Sequence, residues 1–252
     1  MLRALLWDVD GTVAETERDG HRVAFNQAFE QAGLPWQWEV EPYGRLLEVT
    51  GGRERLLADM ARRPGAPPRP EDREALARHL HGLKNERYAR LVASGGIGAR
   101  PGVLEVMRAA RSAGLRQAIV TTTSRSNVGA LFERLLGADW QAMFDAVCCG
   151  EDTQRKKPDP EVYHLALRDL GLAPAEALAI EDSFPGARAA AAAGVPLLLR
   201  PSVYFPADRL PADLPPGTAG QLCAPEDEFH LELLRQVHAR WTEQSRTGQD
   251  TA

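Results

Sequence analysis

The sequence has little of what marks several large protein classes. Its three cysteines, Cys148, Cys149 and Cys223, make neither a disulfide framework nor a zinc-site spacing, so folding must rest on an apolar core in a reducing compartment. Long hydrophobic runs are missing: only four apolar residues separate Arg3 from Asp8, too short a stretch for a membrane span or a secretory leader. The expected location is the cytoplasm, or a plastid-type compartment. Cationic excess is missing too. With 30 Lys and Arg against 35 Asp and Glu, the net charge is -5, which points away from nucleic acid and anionic membranes as partners. Any anionic ligand must then be met by locally placed cations. The six histidines form no HxH or HExxH cluster, which removes the common zinc hydrolases.

What is present is enough for a sizeable core. A chain of 252 residues, 44% hydrophobic and 26% charged, can form one large domain or a core with a smaller module. The apolar run 2–7 reads as a buried strand ending in Asp8-Val9-Asp10-Gly11-Thr12. Strand alternation puts the two carboxylates on one side, and Gly11 lets the chain turn sharply. From Arg100 onward, strands are expected at 115–120, 144–149, 177–180 and 195–199. Helices are expected from Pro101-Gly102 and over 126–136, 160–170 and 185–193. This alternation predicts an α/β fold with a mostly parallel sheet covered on both faces.

Between the first strand and this region the pattern is helical, with helices expected at 16–33, around Leu46-Leu47 and Leu56-Leu57, and over 74–93. Residues 62–73, rich in Pro, Arg and Gly, read as an exposed loop. The expected organisation is a core of 1–13 and 99–225, an inserted helical cap of 14–98, a terminal helix of 226–244 packed on the core, and a flexible tail of 245–252. His230 and His238 on that last helix are expected at the surface.

Four short signatures stand behind strand-like runs, in this order: Asp8-Val9-Asp10-Gly11-Thr12, Thr121-Thr122-Thr123-Ser124, Lys157-Pro158-Asp159-Pro160 and Glu181-Asp182-Ser183. Each has an ordinary structural reading alone: a solvated strand end, a helix cap, a surface lysine. Together they resemble the haloacid dehalogenase superfamily of phosphotransferases, which implies a Rossmann-like parallel-sheet core with an inserted all-helical cap.

In a parallel sheet, groups at the carboxyl ends of strands converge. Carboxylates crowded there repel one another unless a cation is present, and Asp8, Asp10 and Asp182 fit a hard-oxygen Mg²⁺ site. The resemblance implies that Asp8 and Asp182 ligate through side chains and Asp10 through its main-chain carbonyl. Asp8 is then the expected nucleophile, forming an aspartyl phosphate, and Asp10 the acid/base. Thr122 is expected to hydrogen-bond the phosphate, with Thr121 and Thr123 as neighbouring alternatives. Lys157 is expected to neutralise phosphoryl charge, since family register selects the lysine directly before Pro158 over Lys156. Glu181 is expected to orient the metal shell.

The cap resembles more narrowly the CbbY group of xylulose-1,5-bisphosphate phosphatases. The resemblance lies in residues 14–26 (Ala14-Glu15-Thr16-Glu17 onward) and in Thr50-Gly51-Gly52-Arg53-Glu54-Arg55. It implies a small sugar bisphosphate as substrate, losing its 1-phosphate. The enzyme is expected to be a monomer. Arg53 beside Gly51 and Gly52 is the expected contact for the distal phosphate; relatives commonly carry lysine there. Glu17, His21 and Tyr43 are candidates for sugar hydroxyls, Arg45 for added charge, and Asn127 and Arg188 for phosphate on the core side. Trp36 and Trp38 are expected to pack within the cap. The competing expectations are a phosphatase of another sugar phosphate or of 2-phosphoglycolate, a β-phosphoglucomutase-like mutase, and a non-enzymatic binding protein.

Overall fold

The computed structural model describes residues 1–209, 223 and 228–247. Its centre is a five-stranded parallel sheet of order β3-β2-β1-β4-β5, formed by β1 (Ala4–Trp7), β2 (Arg116–Val120), β3 (Ala146–Cys148), β4 (Ala177–Glu181) and β5 (Leu197–Leu199). The alternation within β1 shows why both faces are covered. Leu5 and Trp7 enter one apolar cluster with α5 (Val103–Ser112) and α6 (Arg125–Leu136). Ala4 and Leu6 enter the other with α7 (Glu161–Leu170) and α8 (Phe184–Ala192). The Trp7 indole would be a costly buried donor, and it is satisfied by Gln117 Oε1 at 3.0 Å.

Between β1 and α5 lies a block made of one π-helical turn (Glu17–His21), α1 (Arg22–Gln31), α2 (Val40–Leu46), α3 (Gly52–Met60) and α4 (Pro70–Ala93). It has its own aromatic core, in which Phe25, Phe29, Trp36, Trp38 and Tyr43 are buried, and Phe205 from beyond β5 joins them. Trp36 and Trp38 stack edge-on against Phe29 with centroids 5.8 and 5.1 Å apart. The buried stripe of α4 runs Ala77, Leu80, Lys84, Tyr88, Val92, one helical face with a lysine in its middle.

Several expected boundaries shift. The loop expected over 62–73 ends early, because Pro70 opens α4 as an N-terminal helical residue, where its missing N–H costs nothing. The helix expected over 16–33 divides into the π turn and α1. α5 starts at Val103, after Gly102 caps it at φ 79°. β3 and β5 are shorter than expected, and α9 spans Leu231–Thr247. His238 is buried, with Nε2 on the Ala175 carbonyl at 2.8 Å, rather than at the surface; His230 is exposed. The remaining residues of the expected tail, 248–252, and the expected helix start at 226–227, lie outside the described residues.

Candidate active site

Strand order reverses at β1, with β2 on one side and β4 on the other, so the crevice at their carboxyl ends is where a ligand of such a sheet sits. The three motif loops leave these strands together. Asp8 extends the β1–β4 ladder by one bond, N–H to the Ile180 carbonyl at 3.1 Å, and is thereby held at the mouth. Gly11 then passes over Asp182 with φ 87°; a Cβ there would lie 2.0 Å from Asp182 Oδ2, so only glycine permits the approach.

The Lys157 ammonium sits among these loops and donates to Asp8 Oδ1 at 2.7 Å, Glu181 Oε1 at 2.6 Å and the Val120 carbonyl at 2.8 Å. Glu181 Oε1 also accepts from the Tyr163 hydroxyl at 2.5 Å. Asp8, Glu181 and Asp182 offer carboxylate oxygens that all lie within 4.8 Å of one another. Burial, with the Glu181 charge behind it, pushes the Asp8 carboxyl up to about 7 despite Lys157. Burial and the Asp8 charge hold Asp182 well above the usual range. Three crowded, desolvated carboxylates with one ammonium are short of positive charge, which a hard divalent cation would supply; the donor set fits Mg²⁺. Lys156, the neighbour weighed for the same role, instead donates to the Gly150 and Thr153 carbonyls.

Asp10 is wired differently. Its Oδ1 accepts from Thr16 Oγ1 at 2.5 Å and meets His21 Nε2 at 2.8 Å, while the His21 ring stacks on Tyr88 at 4.2 Å. Burial works to raise this carboxyl, but the His21 charge and hydrogen bond, with Thr16, hold it well below the usual range. Its carboxyl is thus committed to Thr16 and His21.

Two cavities meet over these groups. The smaller, about 50 Å³, is lined by Asp8, Asp10, Thr122 and Lys157. The larger, about 490 Å³, shares Asp10, Glu17, Arg55 and Thr122 with it. Of the residues expected from the sequence, His21, Gly51, Gly52, Arg53 and Thr123 also line the larger cavity. Gly51 has φ 89°, and a Cβ on Gly52 would press on the His81 ring at 3.0 Å, so the two glycines shape this wall.

Other expected residues lie elsewhere. Thr121 is buried, its hydroxyl accepting the Thr123 N–H at 3.2 Å, so it shapes the loop and lines neither cavity. Tyr43 is fully buried behind the cavity, its hydroxyl donating to Glu17 Oε2 at 2.5 Å and accepting from Arg55 at 2.8 Å. Arg45 points to solvent and pairs with Glu41 one turn away. Asn127 donates to Asn85 Oδ1 at 3.1 Å, and Arg188 on α8 lines neither cavity.

Among the cavity residues that the sequence reading did not assign to the site are Arg55, His81, Lys84 and Asn85. Lys84 is the most informative. Its ammonium lies 5.3 Å from the ring centroids of both Phe25 and Tyr88 and has no hydrogen-bond or ion-pair partner among the described residues. Burial lowers it to about 8. His81, one turn earlier, is lowered to about 4 by burial and by Lys84, so it is neutral at physiological pH. The signal for Lys84 was its place in the apolar stripe of α4, where a lysine has no packing reason to be.

Residues 2–194 match the haloacid dehalogenase-like hydrolase family. The chain is similar to the protein CbbY of Rhodobacter capsulatus, 44% identical over 207 residues that cover 82% of this chain and 88% of that one. A CBBY-like protein of Arabidopsis thaliana is 36% identical over 80% of this chain and 64% of its own length. Among solved structures, a variant of CbbY from Rhodobacter sphaeroides in complex with xylulose 1,5-bisphosphate superposes with a TM-score of 0.79 at 39% identity, covering 88% of this chain and 94% of that one. The chain belongs to the haloacid dehalogenase-like hydrolases, and within them to the CbbY-like phosphatases.

Proposed function

We propose that the protein removes the 1-phosphate of xylulose 1,5-bisphosphate, giving xylulose 5-phosphate and inorganic phosphate through an aspartyl phosphate on Asp8. The observation that carries this is the paired cavity. Asp8 and Lys157 line only its smaller part, whereas Arg53 and Lys84 line only the larger, so cationic groups stand ready for a phosphate at each place. A CbbY structure with that bisphosphate shares the fold at 39% identity.

In the forward half, an Asp8 carboxylate oxygen attacks phosphorus, and Lys157 neutralises the charge growing on the phosphoryl oxygens. The Thr122 hydroxyl donates to one of those oxygens. Asp10 is ionised against His21 before substrate binds, so it takes up a proton as the anionic phosphate arrives, gives it to the departing sugar oxygen, and afterwards takes one from the water that cleaves the aspartyl phosphate. His21 and Thr16 orient it for both tasks. The Asp8 and Asp182 carboxylates and the Asp10 main-chain carbonyl would hold Mg²⁺, which when bound would supply charge neutralisation for the phosphate.

Arg53 and Lys84 receive the distal phosphate, and Glu17 and neutral His81 take the sugar hydroxyls. Residues 14–98 act as a cap that excludes water from the intermediate. The enzyme works as a cytoplasmic monomer. The nucleophile assignment is tested by Asp8→Asn. Its expected result is loss of phosphate release with an unchanged fold by circular dichroism; appreciable residual turnover overturns it.

A further inference from the structure

One buried hydroxyl beside the reaction centre has no part in the chemistry above. Tyr163 lies on α7, fully buried, and its ring is held in the apolar cluster beneath β1, β2 and β4. Among the described residues its hydroxyl meets a single acceptor, Glu181 Oε1, at 2.5 Å. The same oxygen accepts from Lys157 at 2.6 Å, and the Lys157 ammonium lies 5.5 Å from the Tyr163 ring centroid. The buried Lys157 ammonium therefore stands between two competing carboxylates, Asp8 at 2.7 Å and Glu181 at 2.6 Å.

The competition has a chemical consequence. Once Asp8 is esterified to phosphorus it loses its charge, whereas Glu181 keeps its own. An unquenched Glu181 would then draw Lys157 wholly to itself at the moment the phosphoryl group needs that ammonium. A hydrogen bond from a neutral donor to Glu181 Oε1 spreads its charge and lowers its pull on the ammonium. Among the described residues the other Glu181 oxygen has only a marginal donor, Ser183 Oγ at 3.5 Å, so Tyr163 is the short neutral contact to this carboxylate.

We infer that Tyr163 is a positioning residue, whose hydroxyl tempers Glu181 and keeps Lys157 shared with Asp8 and with the phosphoryl group it carries. This rests on the aspartyl-phosphate reading and is independent of which sugar is the substrate.

The test is Tyr163→Phe, which keeps the ring and removes only the hydroxyl. Turnover is measured with Mg²⁺ on p-nitrophenyl phosphate and on xylulose 1,5-bisphosphate, and normalised to folded protein by thermal melting. The expected result is a kcat lowered roughly tenfold on both substrates, the share of a charge-assisted hydrogen bond felt in the transition state, with KM changed less than about twofold. A kcat within about twofold of wild type overturns the inference. So does a loss confined to KM, or a lowered melting temperature with unchanged kcat per folded molecule, which would make the hydroxyl structural. Failure of the sugar assignment would appear separately, as a wild-type enzyme indifferent to xylulose 1,5-bisphosphate, while the p-nitrophenyl phosphate comparison still reads Tyr163.

Discussion

The Asn127 amide donates to the Asn85 side-chain oxygen Oδ1 across 3.1 Å, joining α6 to α4 of the helical block at the rim of the larger cavity. A second tie links the Thr50 hydroxyl to the main-chain carbonyl of Lys157, the residue whose ammonium touches Asp8. Both bonds cross from the helical block to the core. Among the described residues Asn127 Oδ1 is buried without a hydrogen-bond partner, so the amide is held by its donor end alone, to Asn85 and, at 3.4 Å, to Thr123 Oγ1. Asn127→Ala is expected to raise KM for the substrate about three- to tenfold with a smaller change in kcat, the cost of one interhelical hydrogen bond. Steady-state kinetics checks it, and an unchanged KM would remove the tie from the binding step.

Burying the Lys84 ammonium costs stability. An ammonium lowered to about 8 by burial makes the folded state bind fewer protons than the unfolded chain between pH 8 and the ordinary lysine value of 10.5. The cost of burying the charge is therefore complete below about pH 8 and fades as pH rises toward 10.5. Lys84→Met should stabilise the protein by about 2 kcal/mol at pH 7, raising the melting temperature, with the gain shrinking above pH 8. The same variant should raise KM for a bisphosphate by about tenfold or more, and for a monophosphate far less. Arg53→Ala should act in the same direction, and an unchanged response to both phosphates would sink its distal-phosphate role.

Metal binding can be read without turnover. Crowded Asp8, Glu181 and Asp182 should be relieved by Mg²⁺, so a hundredfold excess over the dissociation constant should raise the melting temperature by about 5–10 °C. In Asp182→Asn that increment should disappear, and chelation of the wild type should abolish phosphate release. An equal Mg²⁺ shift in the variant would place the ion elsewhere.

The thiols should be inert. Burial pushes Cys148 and Cys149 each up to about 12, and they face opposite sides of the sheet, one in each apolar cluster. At pH 8 the thiolate fraction is on the order of one in ten thousand. Neither should react with iodoacetamide in the folded protein, while both should label in denaturant. Rapid native labelling would show that β3 opens readily.

The sheet was legible because its strands are short apolar runs ending in polar signatures, and a central parallel strand such as β1 must be apolar on both faces. The start of α4 was not, since the proline and arginine content of 62–73 looks like a loop, whereas proline at a first helical position is a start signal. At the site, a motif at a strand end marks its own direction: Asp8, Asp10, Lys157 and Asp182 meet as their spacing behind strands implied. Helical residues gave less away. Tyr43 and Arg45 are only two positions apart on α2, yet one is buried behind the cavity and the other points to solvent. Lys84 was hidden in an apolar stripe, and Tyr163 could not be distinguished from a packing tyrosine until Glu181 was found at its hydroxyl.

The central claim is the substrate. Phosphate release with Mg²⁺ should be followed on a matched panel of xylulose 1,5-bisphosphate, its epimer ribulose 1,5-bisphosphate, 2-phosphoglycolate and β-glucose 1-phosphate. The account predicts a kcat/KM for the first at least about a hundredfold above the others, the order of discrimination that two placed cations and a buried hydrogen-bonding wall can give. A flat, weak profile, or conversion of β-glucose 1-phosphate to glucose 6-phosphate without phosphate release, would contradict it.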